Sequence, residues 1–255
     1  MSGAIILGIV QGVTEFFPVS STAHLVLFPW VFGWQGALNS LAFDVAVHLG
    51  TFLSLLICFY GDWINMLKSN RKLLLYIVAG TIPAGAAGLI FRDFVEAELR
   101  APLVIASMLV LFGIVMLISE RFGKQKGMDR LSLRDALFIG FAQAVALIPG
   151  VSRSGITISA GLFAGLKRDA AARFSFLLSM PVVFAATMLE GRRLWAEPAQ
   201  YDFILFGAGL LTSLVSGVFA IKYLLKFLKR HSMNAFVYYR FVVALAIAGL
   251  VWQRG

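Results

Sequence analysis

The sequence predicts an all-α integral membrane protein with an inverted-topology repeat: six full transmembrane helices plus two re-entrant helical hairpins. Three observations predict it. First, the chain is 60% hydrophobic and 14% charged, against about half and about a quarter in a soluble domain, and its mean hydropathy is +0.86. Second, six apolar runs reach the roughly 20 residues that a crossing needs, and four more stop at about two-thirds of that length. Third, a polar string set in apolar sequence occurs twice. One copy holds Gln11, Glu15, Pro18, Ser20, Ser21, Thr22 and His24; the other holds Gln143, Pro149, Gly150, Ser152, Arg153, Ser154 and Thr157. Gly8, Gln11, Val19, Ser20 and Thr22 map onto Gly140, Gln143, Val151, Ser152 and Ser154 at one constant offset, and only the proline slips.

In chain order, the short segments at about 3–16 and 22–33 form the first pair, joined by Pro18-Val19-Ser20-Ser21. Proline stops the first helix of the pair and a hydroxyl can cap the second. Three spans follow, at about 42–60, 73–91 and 102–119. The second pair, about 134–147 and 155–166, is joined by Pro149-Gly150-Val151-Ser152, and spans at about 171–189, 203–224 and 235–253 complete the chain. Two segments too short to cross and broken by polar residues read as a re-entrant hairpin, because irregular backbone at membrane depth must be covered by protein or line a cavity. The chain is then a single membrane domain, 1–255, with repeat one at about 1–120 and repeat two at about 133–255. A hairpin plus three spans is an odd number of crossings, so the second half is inverted. Inverted repeats with broken helices place their site near the midplane.

Loop charges set the orientation. One predicted side carries Lys68, Arg71 and Lys72, then Arg121, Lys124, Lys126, Arg130 and Arg134, then Lys167, Arg168 and Arg173, and finally Lys222, Lys226, Lys229 and Arg230. The other mixes Arg92, Arg100, Arg192, Arg193 and Arg254 with Asp93, Glu96, Glu98, Glu190, Glu197 and Asp202. The positive-inside rule puts the first side in the cytoplasm and both termini outside. The net charge of +9 is accounted for by these loops, so no nucleic-acid partner is expected. Cys58 lies alone in an apolar run, which excludes a disulfide framework. No basic segment precedes the first apolar stretch, so no cleavable signal peptide is expected.

Glu and Arg at mid-bilayer cost about 2.5–3.5 kcal/mol each on insertion scales, and such residues mark function. Gln11 and Glu15 lie four apart and share a helix face. The second helix of each pair starts at a tip, so its free amides and positive dipole end face the site. Hydroxyls, free N–H groups and the Arg153 guanidinium suit a phosphate. A carboxylate beside them suits a divalent cation or a proton acceptor, and Ser21 with His24 suits nucleophilic attack and proton transfer. Phosphoryl transfer, which runs on positioning and charge neutralisation, is the favoured chemistry. The plainer readings are helix caps for Ser20, Ser21 and Thr22, and a structural ion pair for Glu15 with Arg153. His48, one turn after Asp44, reads as a local polar pair, and His231 as a solvated loop residue.

At these residues the chain resembles the undecaprenyl-diphosphatase family, also known as bacitracin-resistance proteins. The first family motif, Glu/Gln-x-x-x-Glu then Phe-x-Pro-x-Ser-Ser-Thr-x-His, reads here as Gln11 to Glu15, Phe16, Pro18, Ser20, Ser21, Thr22 and His24. The second, Pro-Gly-x-Ser-Arg-Ser-Gly-x-Thr, reads as Pro149, Gly150, Ser152, Arg153, Ser154, Gly155 and Thr157. The likeness continues through Ala172 to Leu178 and Pro181 and covers essentially the whole chain. It implies hydrolysis of undecaprenyl diphosphate to the monophosphate and phosphate, recycling of the carrier lipid for peptidoglycan, and bacitracin resistance. It also implies a bacterial plasma (inner) membrane location, with the site opening to the outer, periplasmic side. Carried over, Ser21 is the nucleophile or a phosphate-orienting hydroxyl, His24 assists proton transfer, Arg153 clamps the diphosphate, and Glu15 is metal ligand or base. Gln11, Ser20, Thr22, Ser152, Ser154 and Thr157 line the phosphate pocket. The expected cofactor is Mg²⁺ or Ca²⁺; Gln11, where many members carry Glu, leaves Glu15 as the one carboxylate to hold it. The implied partners are the polyprenyl diphosphate and the bilayer, and small-residue helix faces admit a homodimer. The competing class is a secondary transporter or lipid flippase of the same architecture, which needs a substrate site but no nucleophile.

Overall fold

Proline and serine break the chain where the polar strings lie. The computed structural model describes residues 1–122, 125–196 and 202–254. Lys124 and Glu197 lie outside the described residues, as do the side chains of Arg92, Asp93, Glu96, Glu190 and Arg193. The described residues form ten α-helices and two short 3-10 turns: α1 (Ser2–Phe16), α2 (Ser21–Phe32), α3 (Leu41–Lys68), α4 (Arg71–Glu98), α5 (Pro102–Ser119), α6 (Leu133–Val145), α7 (Arg153–Phe163), α8 (Arg168–Ala196), α9 (Phe203–Leu228) and α10 (Asn234–Arg254). Six are long and apolar enough to cross a membrane, from Ala42–Lys68 to Asn234–Arg254. The protein is therefore a multi-pass membrane protein.

Each short pair turns back on itself at a serine with left-handed backbone. α1 ends at Phe16, and Phe17 caps it one residue before Pro18; Ser20 then stands at φ 75°, and its hydroxyl accepts the Ala23 N–H to cap α2. α6 starts with a capping box between Ser132 and Asp135 and unwinds after Val145. Gly150 follows at φ 95° and Ser152 at φ 72°, where the Ser152 hydroxyl accepts the Gly155 N–H to cap α7. The bases of the pairs are tied as well. Ala4 and Leu7 at the start of α1 pack with Trp34 and Leu38, which follow α2. Lys126 joins the start of α6 through Asp135 and the end of α7 through backbone bonds with Gly165 and Lys167.

The first helix of each pair packs on a span from the other half: α1 on α9, and α6 on α4. Both contacts need glycine. A Cβ at Gly8 would fall on the Gly209 carbonyl and the Thr212 hydroxyl, and one at Gly140 would fall on the backbone of Gly80. Small residues let helices approach this closely where no hydrophobic force drives them together. α8 is the central span, more than half buried along its apolar window, whereas α4 and α10 keep most of theirs outward. Phe174, Phe176 and Leu177 of α8 join Phe16, Leu55 and Phe59 in the main core.

Four spans outrun the apolar runs seen in sequence: α3, α4, α8 and α9. α3 kinks at Phe59 (φ −116°, ψ 15°) and continues to Lys68. Its extra turns are held by α8, through Asp62 with Arg173 at 2.5 Å and the Trp63 indole N–H on the Met180 sulfur. α8 starts three residues early, at Arg168, whose guanidinium grips Glu120 at the end of α5. Glu120 also accepts the Met233 N–H, tying in the start of α10.

Candidate active site at the junction of the two tips

Glu15 is the hub. It sits in the last turn of α1, and the helix puts Gln11 on the same face, where its amide donates to Glu15 Oε2 at 3.0 Å. Pro18 turns the chain back so that Ser21, the first residue of α2, donates its hydroxyl to the same oxygen at 2.6 Å. From the other half, Arg153, the first residue of α7, reaches Glu15 Oε1 at 2.5 Å. A Ser-Arg-Glu cluster is thus assembled from two segments far apart in sequence.

The tips also interlock through their backbones. The Gly150 N–H donates to the Ser20 hydroxyl at 3.2 Å, and the Ser154 hydroxyl donates to the Phe17 carbonyl at 3.1 Å. Ser152 and Ser154 share a bond at 3.3 Å. Thr157 is one turn further in and is engaged with the Arg153 carbonyl and with Ser175 of α8. Thr22 lines the cavities beside the tips.

Two cavities meet here. A polar one of about 40 Å³ is lined by Thr14, Glu15, Ser20, Ser21, Thr22, Ala146, Ser152 and Arg153. A larger, mostly apolar one of about 270 Å³ shares Thr22, Ala146 and Arg153 and runs on past Leu25, Val26, Leu147 and Val183. A polar end opening into an apolar groove matches a ligand with a charged head and a hydrocarbon tail. Several polar atoms at this junction are buried without a partner among the described residues: Gln11 Oε1, Arg153 Nη1, and both amide atoms of Gln143, which lines the larger cavity. Buried polar groups are normally satisfied, so four orphans around one junction mark a place for a polar ligand.

The sequence model of the family described as bacitracin resistance protein BacA matches residues 4–246. The chain belongs to that family. It is 54% identical to an undecaprenyl-diphosphatase of Thermodesulfovibrio yellowstonii over 98% of this chain and 97% of the relative. Proteins of the same name from Desulforudis audaxviator and Moorella thermoacetica are each 42% identical over 98% of both chains.

Of the residues singled out in sequence, the structure brings Gln11, Glu15, Ser21 and Arg153 into one hydrogen-bonded cluster, with Ser20, Thr22, Ser152 and Ser154 around it. His24 stands apart from Ser21 and Glu15. Its Nδ1 lies 2.7 Å from the Ser20 carbonyl and its Nε2 2.7 Å from the Tyr239 hydroxyl, so both ring nitrogens are engaged. His48 gains a neighbour the sequence did not foresee. Its Nδ1 faces the Asp44 carbonyl one turn back, and its Nε2 comes within 3.9 Å of Glu15. Sequence reasoning passed over Arg240, although the signal was present: an arginine inside the apolar run 235–253 is an intramembrane charge, which by default marks function.

Proposed function

We propose that the chain is an undecaprenyl-diphosphatase: it hydrolyses undecaprenyl diphosphate to undecaprenyl phosphate and inorganic phosphate at the junction of the tips. The observation that carries this is Glu15, held between the Ser21 hydroxyl and the Arg153 guanidinium at the polar end of an apolar groove. The names and identities of the relatives support the same reaction.

The chemistry follows from the bonding. The Ser21 proton already points at Glu15 Oε2, so the carboxylate can take it as Ser21 Oγ attacks the terminal phosphorus. The bond from that phosphorus to the bridging oxygen breaks, and undecaprenyl phosphate departs. Water then attacks the phosphoserine, Glu15 returns the proton to Ser21, and phosphate leaves. Arg153, through Nη1, and the free amides at the starts of α2 and α7 bear the negative charge of the phosphoryl group. His24 holds the Ser20 carbonyl rather than moving the proton.

The donor set fits a hard divalent cation, because Gln11 Oε1, beside the Glu15 carboxylate, is a buried oxygen without a partner among the described residues. Mg²⁺ or Ca²⁺ would be held by Glu15 and Gln11 with substrate oxygens, a mode common for Mg²⁺. When bound, it supplies charge neutralisation to the diphosphate.

The fold reading goes with this function. The chain is a single membrane domain with an inverted repeat, and the two pairs are re-entrant hairpins. In support, exchanging the halves maps α1·α9 onto α6·α4, α3·α9 onto α8·α4, and α3·α8 and α5·α10 onto themselves. The base of the second hairpin ties to Lys126, on the side of the basic loops, whereas Arg254, at the far end of α10, grips the Trp30 and Val31 carbonyls at the end of α2. The first hairpin then enters from the outside of a bacterial plasma membrane, both termini lie outside, and the site opens outward. A homodimer through small-residue helix faces belongs to the same reading.

Phosphate release from undecaprenyl diphosphate by the purified protein, with and without Mg²⁺ or Ca²⁺, tests the proposal. Release that collapses in folded Ser21→Ala and Arg153→Ala is the expected result. Absence of release by the wild type with either cation overturns it and favours a transporter. Acid-stable ³²P on Ser21 after a quench distinguishes the phosphoserine route from direct attack by water.

A further inference from the structure

Arg240 lies in the second turn of α10 and is the largest fully buried side chain among the described residues. Among the described residues no carboxylate pairs with it. All five of its N–H donors are spent on backbone carbonyls instead. Nη1 donates to Pro18 of the first tip at 3.4 Å and to Val151 of the second at 3.2 Å. Nη2 donates to Gly150 of the second tip at 2.8 Å and to Met108 of α5 at 3.3 Å. Nε donates to Leu109 of α5 at 3.1 Å.

These are carbonyls that the turning backbone leaves in need of donors. Pro18 lies two residues before Ser20, and Gly150 and Val151 lead into Ser152; Ser20, Gly150 and Ser152 all have positive φ. Buried carbonyls must find a donor, and one guanidinium answers for three of them while anchoring them to α5. Its neighbour on α10 completes a closed circuit. The Tyr239 hydroxyl meets His24, His24 meets the Ser20 carbonyl, the Ser20 hydroxyl accepts the Gly150 N–H, and the Gly150 carbonyl returns to Arg240.

We infer that Arg240, with Tyr239 acting through His24, is a positioning residue that sets the register of the two tips and so aligns Ser21 and Arg153 on Glu15. Ser21 and Arg153 each follow directly the serine whose left-handed backbone the circuit holds. Neither Arg240 nor Tyr239 lines the cavities beside Glu15, so the effect reaches the substrate only through the tips. The planar fork is essential, since an ammonium presents three donors from one point and cannot span carbonyls on three segments. The inference rests on the diphosphatase reading of the site.

The test compares wild type, Arg240→Lys, Arg240→Met and Tyr239→Phe in detergent, with two readouts. The first is steady-state hydrolysis of undecaprenyl diphosphate. Arg240→Lys is expected to lower kcat on the order of 100-fold, the scale of a 1 Å misplacement, while KM stays within about threefold of wild type. Tyr239→Phe is expected to lower kcat about tenfold by the same route. The second readout is hydrogen exchange, which does not depend on activity. Peptides covering 17–24 and 148–155 should exchange faster in the Arg240 variants while α3 and α8 keep wild-type protection. Should Arg240→Met fail to accumulate folded, Arg240→Lys and Tyr239→Phe decide the matter. Folded Arg240→Lys with wild-type kcat, or unchanged tip exchange in it, overturns the inference, because charge or bulk alone would then suffice. An inactive wild type whose Arg240→Lys variant still shows loosened tips removes the diphosphatase reading and leaves the positioning role standing.

Discussion

At the first tip Ser20 stands at φ 75° and caps α2; at the second Ser152 stands at φ 72° and caps α7 in the same way. Gly8 and Gly140 precede them at equivalent places, each pressed against a span of the other half. The backbones are close copies, but the side chains are not. The first tip carries the carboxylate, Glu15, and the position matching it in the second is Leu147. Ser21 and Arg153 are counterparts, each opening its helix and each bonded to the same Glu15. Gln11 is bonded to Glu15, whereas its counterpart Gln143 is buried with no partner among the described residues. The two tips therefore supply two helix ends in matching geometry, and differences at a few side chains make one site from them. A symmetric pair of tips would oppose two carboxylates or two guanidinia, and like charges at that spacing repel.

The largest effect comes from breaking the counterparts. Ser21→Ala removes the proposed nucleophile and should lower kcat about 10³-fold, within the range for loss of a group that acts in the transition state, with the fold intact. Arg153→Met removes activity and in addition leaves Glu15 buried without its partner. That should cost about 3 kcal/mol of stability, read from the denaturation midpoint. The double variant Glu15→Gln/Arg153→Met should regain most of the stability and none of the activity, since a neutral pair carries no uncompensated charge. Stability that fails to return in the double variant would mean that the Glu15–Arg153 contact is not the source of the loss.

Much of this arrangement was legible from sequence, and the reason lies in range. Gln11 with Glu15, the proline stops and the serine caps are contacts within one or two turns, fixed by helix geometry. Even the meeting of the tips can be anticipated from the two matching polar strings. The orientation of His24 was hidden, because Tyr239, which binds its Nε2, lies on the last helix. Arg240 was visible as a charge in an apolar run, yet its five carbonyls come from three segments that only the folded chain brings together. The full length of α3 was hidden for the same reason. Its last turns are held by Arg173 and Met180 of α8 rather than by an apolar pattern of their own.

The packing glycines sharpen the comparison at the next scale. Gly140→Ala would drive a methyl into the backbone of Gly80, which has nowhere to go. Gly8→Ala meets the Thr212 hydroxyl as well as the Gly209 carbonyl, and only the hydroxyl can rotate away. Both should destabilise within the range of about 1–3 kcal/mol for overpacking, with Gly140→Ala the worse of the two. Thermal unfolding in detergent reads the order. The reverse order would show that α1 on α9, not α6 on α4, is the tighter seam.

Gln143 offers a contrast between stability and binding. Neither of its polar atoms has a partner among the described residues, so Gln143→Leu should leave stability unchanged or raise it by about 1 kcal/mol. Gln11→Leu deletes a bond to Glu15 and should lower stability by about 1 kcal/mol instead. If Gln143 serves the ligand in the larger cavity, Gln143→Leu raises KM about tenfold, the cost of losing one hydrogen bond to a charged group. An unchanged KM would assign Gln143 to water rather than to substrate.

The smallest effect separates the two left-handed serines. Glycine adopts positive φ without strain and replaces a serine cap at a cost of only a few tenths of a kcal/mol. For Ser152→Gly the hydroxyl lost beyond the cap is a weak 3.3 Å contact with Ser154, so relief of strain and loss of the cap should nearly cancel. Ser20→Gly loses the same kind of cap and also the acceptor of the Gly150 N–H, which lies on the other tip and is buried. An orphaned buried N–H costs about 1 kcal/mol or more. Ser20→Gly should therefore unfold at a lower denaturant concentration than Ser152→Gly by about 1 kcal/mol, although the two residues have nearly the same φ and the same cap. Equal midpoints would mean that the Gly150–Ser20 bond contributes nothing to stability, and that the two tips are held together by Arg153, Arg240 and the Ser154–Phe17 bond.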